Sequence, residues 1–343
     1  MNDLLTIVTP TRDRPDLLAL CLRSVFEDQR HSPSVIVSDN STREHAAIGA
    51  LRERYGFTYV RQSGQVPIVE HQNACLRMPT SKWVLLLHDD DELCPGALDT
   101  LEEFLAGQPD VGIVMAGTQA IDLEGRVTAQ WLPAHGTTVR GDQALLALGL
   151  DWGLRAPGTI YGVRESQELG GLPEVLGLPA DYAHAAALAY QFGIAFLPVP
   201  VGRQREGHDR ATTFDTPAKA LRWLTFVSEQ AARVRTLGGA PDVAGRLVDY
   251  LVWSTFEALA PWWTKFERGA VDDLVRICLQ YAPGRGERHE RVRRTYPLLF
   301  LRPRRAAWLL HDLLHAPRFA ALRSYFPSPL RHAVRRLTRR SNV

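Results

Sequence analysis

Over roughly the first 115 residues, short apolar runs alternate with amphipathic stretches, and this rhythm predicts the fold. Leu4 to Thr9 (LLTIVT) is rich in β-branched residues and predicts a first strand, ending in Pro10-Thr11-Arg12-Asp13-Arg14-Pro15. Leu17, Leu18, Cys21, Leu22 and Val25 then share one helical face, with Pro15 near the helix start. Val35-Ile36-Val37 predicts a second strand, closed by Ser38-Asp39-Asn40-Ser41-Thr42. Residues 46–55 read as helix, 58–60 as a third strand, and 68–76 as a short helix containing Asn73. Trp83-Val84-Leu85-Leu86-Leu87 follows neither the helical nor the alternating period, as expected of a strand buried on both faces of a parallel sheet. A helix over 98–105 and a strand over 111–115 complete an alternation that predicts a doubly wound α/β sheet.

Beyond residue 115 the pattern loosens. Residues 125–141 are mixed and read as a hairpin or a loop. Residues 159–163 predict a strand, 181–192 an alanine-rich helix and 194–197 a short strand. From Pro217 the chain turns almost wholly helical, over 217–237, 242–259 and 262–281. The expected boundary lies near Thr216, giving an α/β unit over 1–216 and a helical C-terminal region over 217–343.

With 343 residues, 45% hydrophobic and 23% charged, the chain has the composition of an ordinary globular protein. Its four cysteines (Cys21, Cys75, Cys94, Cys278) form no CxxC pair, which points to a reducing, cytoplasmic setting. Met1-Asn2-Asp3 leads straight into a strand without a basic leader, and no run approaches 18 apolar residues. The net charge of +2 conceals an asymmetry. Residues 284–343 hold 15 arginines and three acids, a balance of +12, against −10 for the remainder. An acidic body with a basic tail suggests an anionic surface as the tail's partner.

The chemistry concentrates after the Trp83 run, in His88-Asp89-Asp90-Asp91-Glu92. Adjacent carboxylates repel, and a hard divalent cation such as Mg²⁺ or Mn²⁺ bridging to a substrate phosphate would offset that cost. The position suits a ligand, because open α/β sheets bind beyond the carboxyl ends of their strands. A solvated acidic turn before the next helix is the plainer alternative. The spacing does not match a calcium hand loop.

Four segments now stand in one order: TIVTPTRDRP, VSDNST, LLHDDDEL and GGLPEVLGLPADYAHAAAL. Together, over roughly residues 4–210, they resemble the family 2 glycosyltransferases. These are nucleotide-diphospho-sugar transferases with a GT-A fold, a mixed sheet with a Rossmann-like nucleotide-binding half. The resemblance implies a metal-dependent, inverting transfer of a sugar from a nucleotide-diphospho-sugar, UDP-sugars favoured, to a saccharide or lipid-linked acceptor. A bacterial polysaccharide, glycolipid or glycoconjugate would be the product. It implies donor contacts from Thr9, Pro10, Arg12, Asp39 and Asn73, with Asp39 accepting from the nucleotide base. Asp89 and Asp90 face the donor, and Asp90 or Asp91 the Mg²⁺ or Mn²⁺ ion. His88 stands where the commoner family form has Asp, and Asn40 where a second Asp is frequent. Asp181 matches the catalytic base, with Ala180 where an acid often precedes it. Gly171 matches the turn backing the acceptor, and Arg205, His208 and Arg210 the loop closing on the diphosphate and metal.

Local chemistry leaves plainer roles open: helix caps for Asp39 and Asp181, a turn cap for Asn73, a surface position for Arg12 and a structural one for His208. Two other functions compete. A sugar-nucleotide pyrophosphorylase would need a glycine-rich triphosphate loop with a lysine after strand one, where TPTRDRP has none. A non-catalytic nucleotide-binding or membrane scaffold would keep the sheet without the base. Over residues 300–343, Trp308, Leu309, Leu310, Leu313 and Leu314 lie among arginines, as in helices resting on an anionic membrane, here the inner face of the plasma membrane. An arginine-rich subdomain packed on the catalytic body fits equally, and no nucleic-acid-binding module is visible.

Overall fold

The computed structural model describes residues 4–206 apart from 31–32, 108–110, 134–137, 151–154 and 175–179. Beyond these it describes 268–282 and single positions between 218 and 256. The chain divides into two units. The first is Met1–Ala211 with Thr236–Val243, the second Thr212–Arg235 with Ala244–Val343.

In the first unit, β1 (Leu5–Thr11) pairs in parallel with both β2 (Ser34–Asp39) and β4 (Trp83–Leu86), and β2 pairs with β3 (Thr58–Arg61). The connecting helices are α1 (Pro15–Phe26), α2 (Ala46–Tyr55) and α3 (Ile68–Arg77). Leu5, Ile7, Val35, Val37, Trp83, Leu85 and Leu87 form one core with Leu18, Leu22 and Val25 of α1 and Ile48 of α2. The alternate residues Val8, Val84 and Leu86 are buried too, and α3 packs on β1 and β4. Burial of both faces accounts for the unbroken apolar run of β4.

The second half of the sheet reverses direction. β8 (Thr159–Gly162) is antiparallel to β4 and to β6 (Ile113–Ile121), while β9 (Ile194–Arg205) runs parallel to β6 along its length. With β9 on one edge of β6, β8 and then β7 (Val127–Trp131) share the other, so residues 125–141 begin with a hairpin. β5 (Glu92–Leu93) closes the order β3-β2-β1-β4-β8-β6-β9-β5. Helices α4 (Ala97–Ala106), α5 (Gly141–Leu150), α6 (Val163–Glu168) and α7 (Ala180–Phe192) complete the unit.

Some expectations are corrected. Val163 opens α6 instead of ending a strand, and α5 and β5 carried no sequence prediction. The strand expected over 194–197 runs on to Arg205, with its register to β6 shifting where Gly117 meets Pro200. Proline lacks the N–H that a regular ladder needs, and the irregularity absorbs the loss. A Cβ on Gly202 would overlap the Pro157 carbonyl oxygen, so glycine lets the 3₁₀ turn Ala156–Gly158 lie against β9.

In the second unit α8 spans Arg268–Tyr281, and the Trp253 indole N–H donates to the Ala282 carbonyl at 3.3 Å. Trp253 and Phe256 meet edge to face. The expected boundary near Thr216 and the tail over 300–343 lie outside the described residues.

Candidate active site

The site is built where β1, β2 and β4 end. β4 stops at Leu86, and the Asp91 N–H donates to the His88 carbonyl at 3.0 Å, turning the acidic segment tightly. Asp89 is buried and faces β1. It accepts from the Thr11 hydroxyl at 2.7 Å and the Arg12 N–H at 3.4 Å. Burial pushes its carboxyl up to about 6, opposed by the Thr11 bond. Asp90 meets the Arg14 guanidinium at 3.1 Å. Asp91, also buried, accepts from the Arg205 backbone N–H at 3.2 Å. Glu92 pairs with the Arg205 guanidinium and lies 4.0 Å from Arg203.

Three arginines therefore offset four acids, and two of them come from β9, over a hundred residues away. Repulsion in the sequence is relieved by the fold. One ligand atom each from His88, Asp90 and Asp91 still lies within 4.8 Å of the others. Two carboxylates and an imidazole so placed fit a divalent ion. Asp89 is used differently: it fastens this loop to β1.

Asp39 is fully buried at the end of β2. One carboxylate oxygen accepts from the Ser41 N–H at 2.8 Å and the other from the Tyr59 hydroxyl at 2.7 Å. Burial and this bond push the Tyr59 phenol up to about 12. The residue capping α2 is His45, so Asp39 is not that helix's cap. Each carboxylate oxygen keeps a further lone pair for a ligand N–H. Asn40 pairs both ways with the Val66 backbone, at 2.9 and 3.0 Å, and so serves the loop before α3. Thr9 is fully buried beside the Cys21 thiol, Pro10 is half-buried and Arg12 is exposed. Asp13 adopts a left-handed φ of 54° and accepts from Thr42 and His45, tying the loop after β1 to the loop after β2.

Three consecutive residues of α3 reach three parts of this region, because successive helical side chains point about 100° apart. His71 meets the Ser38 hydroxyl at 2.9 Å, Gln72 meets His88 at 3.3 Å, and Asn73 grips Leu172. Asn73 donates to the Leu172 carbonyl at 2.9 Å and accepts its N–H at 2.7 Å. That double bond fixes the turn at Gly170-Gly171. Gly171 has φ of +81°, and a Cβ there would come within 2.5 Å of the Asn73 amide oxygen. Asn73 and Gly171 thus meet, with Asn73 holding the turn.

Asp181 lies in the first turn of α7, one residue past its start, and accepts from the Tyr182 N–H at 2.7 Å. Burial pushes its carboxyl up to about 6. Its charge also raises the buried Tyr161 phenol, after burial itself. Arg205 is buried, its guanidinium held by Glu92 and the carbonyls of Asp122 and Leu123 at 3.1 and 3.2 Å. It supports Asp91 from behind instead of reaching outward. His208 and Arg210 lie outside the described residues. Thr11, Arg14, Tyr59 and Gln72 are site residues that the sequence reading missed. Of these, only Arg14 had a visible signal, as a cation inside the first loop.

Residues 6–150 match the family model described as glycosyl transferase family 2. This segment belongs to glycosyl transferase family 2. Over 114 residues, 33% of this chain, the sequence is 31% identical to an uncharacterized protein of Mycobacterium tuberculosis. The match spans about a third of that relative's length, 35%. Among solved structures, S. aureus TarS 1–349 in complex with UDP-GlcNAc superposes with a TM-score of 0.62 at 14% identity, covering 91% of this chain and 90% of that one. The mannosyltransferase PcManGT from Pyrobaculum calidifontis, in complex with GDP-Man and Mn²⁺, gives 0.54 at 17% identity, covering 90% and 84%. The family 2 segment is part of a GT-A fold.

Proposed function

We propose that the first unit is a metal-dependent, inverting glycosyltransferase using a nucleotide-diphospho-sugar. The observation that carries this reading is the His88-Asp90-Asp91 cluster, seated where β4 of the family 2 segment ends. Asp39 and Tyr59 form the base-recognition end, with UDP-sugars the favoured donors. UDP-GlcNAc in TarS and GDP-Man with Mn²⁺ in PcManGT support a nucleotide-sugar donor and a divalent ion. His88, Asp90 and Asp91 would hold Mg²⁺ or Mn²⁺, which at a bound diphosphate supplies Lewis-acid stabilisation of the leaving group.

Asp181 is the base. It takes the proton of the acceptor hydroxyl as that oxygen bonds to the anomeric carbon, and the sugar–phosphate bond breaks with its electron pair passing to the diphosphate. A carboxylate raised toward 6 is a stronger base than an exposed one, yet stays ionised at neutral pH. Asn73 and the Gly170-Gly171 turn form the wall on the acceptor side. The acceptor is a saccharide or a lipid-linked saccharide of a bacterial polysaccharide, glycolipid or glycoconjugate.

The reading is tested by thermal unfolding with UDP, GDP, dTDP and CDP, each with and without Mn²⁺. A ligand at about 100 times its Kd adds roughly 2.7 kcal/mol. A metal-dependent rise with one nucleotide is the expected result. No rise with any of them would leave a non-catalytic scaffold as the better description.

No helix among the described residues is long and apolar enough to cross a membrane. Contact with an anionic membrane is assigned to residues 300–343, rich in arginine. Deleting them should abolish co-sedimentation with vesicles containing phosphatidylserine while leaving nucleotide-dependent stabilisation in place. Unchanged sedimentation would remove the membrane role.

A further inference from the structure

We infer that His184 is a positioning residue: it locks the helix carrying Asp181 to the Gly170-Gly171 turn and so fixes where the carboxylate stands against an acceptor. This rests on the reading of Asp181 as the base and adds what holds that base in place. Helix α7 needs such a lock. Six of its 13 residues are alanine, small and alike, so packing alone distinguishes one rotation of the helix poorly from another. A buried polar side chain that must meet its partners removes that freedom, as single polar residues do in setting helix register.

His184 stands three residues after Asp181, on the same side of α7. It is buried, and its Nε2 lies 3.1 Å from the Ser166 hydroxyl of α6. The Gly171 backbone is a second hydrogen-bond partner of the imidazole. The Gly171 N–H in turn donates to the Ser166 carbonyl at 2.9 Å. Helix α6, the glycine turn and α7 are thereby closed into one circuit of polar contacts, which Asn73 anchors to α3 through Leu172. Tyr161 of β8 flanks the circuit, its ring centroid 5.8 Å from that of His184. Its phenol, raised by burial and then by the Asp181 charge, stays protonated at pH 8. Burial lowers the imidazole to about 4, so it too is neutral at pH 8, with one N–H and one lone pair. Replacing it at that pH changes no charge.

The test is a double-mutant cycle on the full chain, read by thermal melts at pH 8. In the wild-type background Asp181→Asn should raise the melting temperature by removing a buried charge. With His184→Leu that gain should be lost, because an unlocked α7 lets the carboxylate reach water. His184→Gln, whose amide still reaches Ser166, should keep the gain. Ser166→Ala, a smaller change, should reduce it and carries the test if His184→Leu does not fold. Stabilisation by UDP or GDP with Mn²⁺ should be the same in every folded variant as in wild type. A merely structural His184 would lower every melting temperature and leave the Asp181→Asn gain intact. That additive result overturns the positioning role, as does His184→Gln behaving like His184→Leu. Absence of the gain in the wild-type background overturns it too, since the carboxylate would already be in water. Coupling between the two sites with full turnover in Asp181→Asn would instead refute Asp181 as the base and leave the lock standing.

Discussion

Asp181→Asn is expected to lower turnover by about 10²–10⁴-fold, the usual contribution of a positioned general base, while raising the melting temperature. The two effects share one cause. Burial lifts the Asp181 carboxyl from 3.8 to about 6, so the folded protein holds its ionised form at a cost. Between those values the folded state binds the proton more tightly than the unfolded chain does, and stability therefore falls as pH rises through that window. Above it the loss is complete, at most ~3 kcal/mol and nearer 1–2 kcal/mol after allowance for the partly exposed position. Asparagine removes the charge and keeps an oxygen for the Tyr182 N–H. Melting curves at pH 4 and pH 8 should show the gain only at pH 8. Wild-type turnover should rise with pH through about 6. If Asp181→Asn retained turnover, or lost it in proportion to a loss of folded protein, Asp181 would not be the base.

The separation of legible from hidden features follows the range of the forces involved. The strands of the nucleotide-binding half were readable because burial on both faces forces a local signature, and Trp83 to Leu87 shows it in five consecutive residues. β5 was not readable. Its two residues include a buried glutamate, and antiparallel pairing with Arg203 and Gly202 of β9 makes it a strand, with Arg203 and Arg205 offsetting the Glu92 charge and the Ser24 hydroxyl 2.9 Å from the Leu93 N–H. β9 looked short because Pro198 and Pro200 interrupt the pattern, yet β6 carries the pairing past them. The site divides in the same way. His88 to Asp91 announced themselves as an acidic cluster, but their division of labour depends on Thr11, Arg14 and Arg205. Gln72 carried no signal at all, since its meaning lies in which way α3 is turned. Arg205 had the right chemistry for a phosphate, and burial against Glu92 spends it on the protein.

That division of labour predicts opposite outcomes for two neighbouring aspartates. Asp91→Asn should weaken ion-dependent nucleotide binding by on the order of 10²–10⁴-fold, because removing one charge from a desolvated pair costs about 3–5 kcal/mol. Its amide oxygen can still accept from the Arg205 N–H, so the ion-free protein should melt no lower than wild type. Relief of repulsion from Asp90 and Glu92 acts in the same direction. Asp89→Ala should do the reverse to the fold. It leaves the Thr11 hydroxyl and Arg12 N–H without their acceptor and detaches the loop from β1, a loss of about 1–3 kcal/mol at pH 4, where the buried carboxyl, raised to about 6, is protonated in the fold and its removal relieves no charge burial. Calorimetry with Mn²⁺ and UDP, paired with ion-free thermal melts, reads both variants. Asp91→Asn that still bound nucleotide with its ion at wild-type affinity would take Asp91 out of the ion site. Asp89→Ala that melted like wild type at pH 4 would show that the loop needs no fastening. The predicted crossing of the two readouts is what a merely acidic, solvated turn could not produce, since its members would be interchangeable.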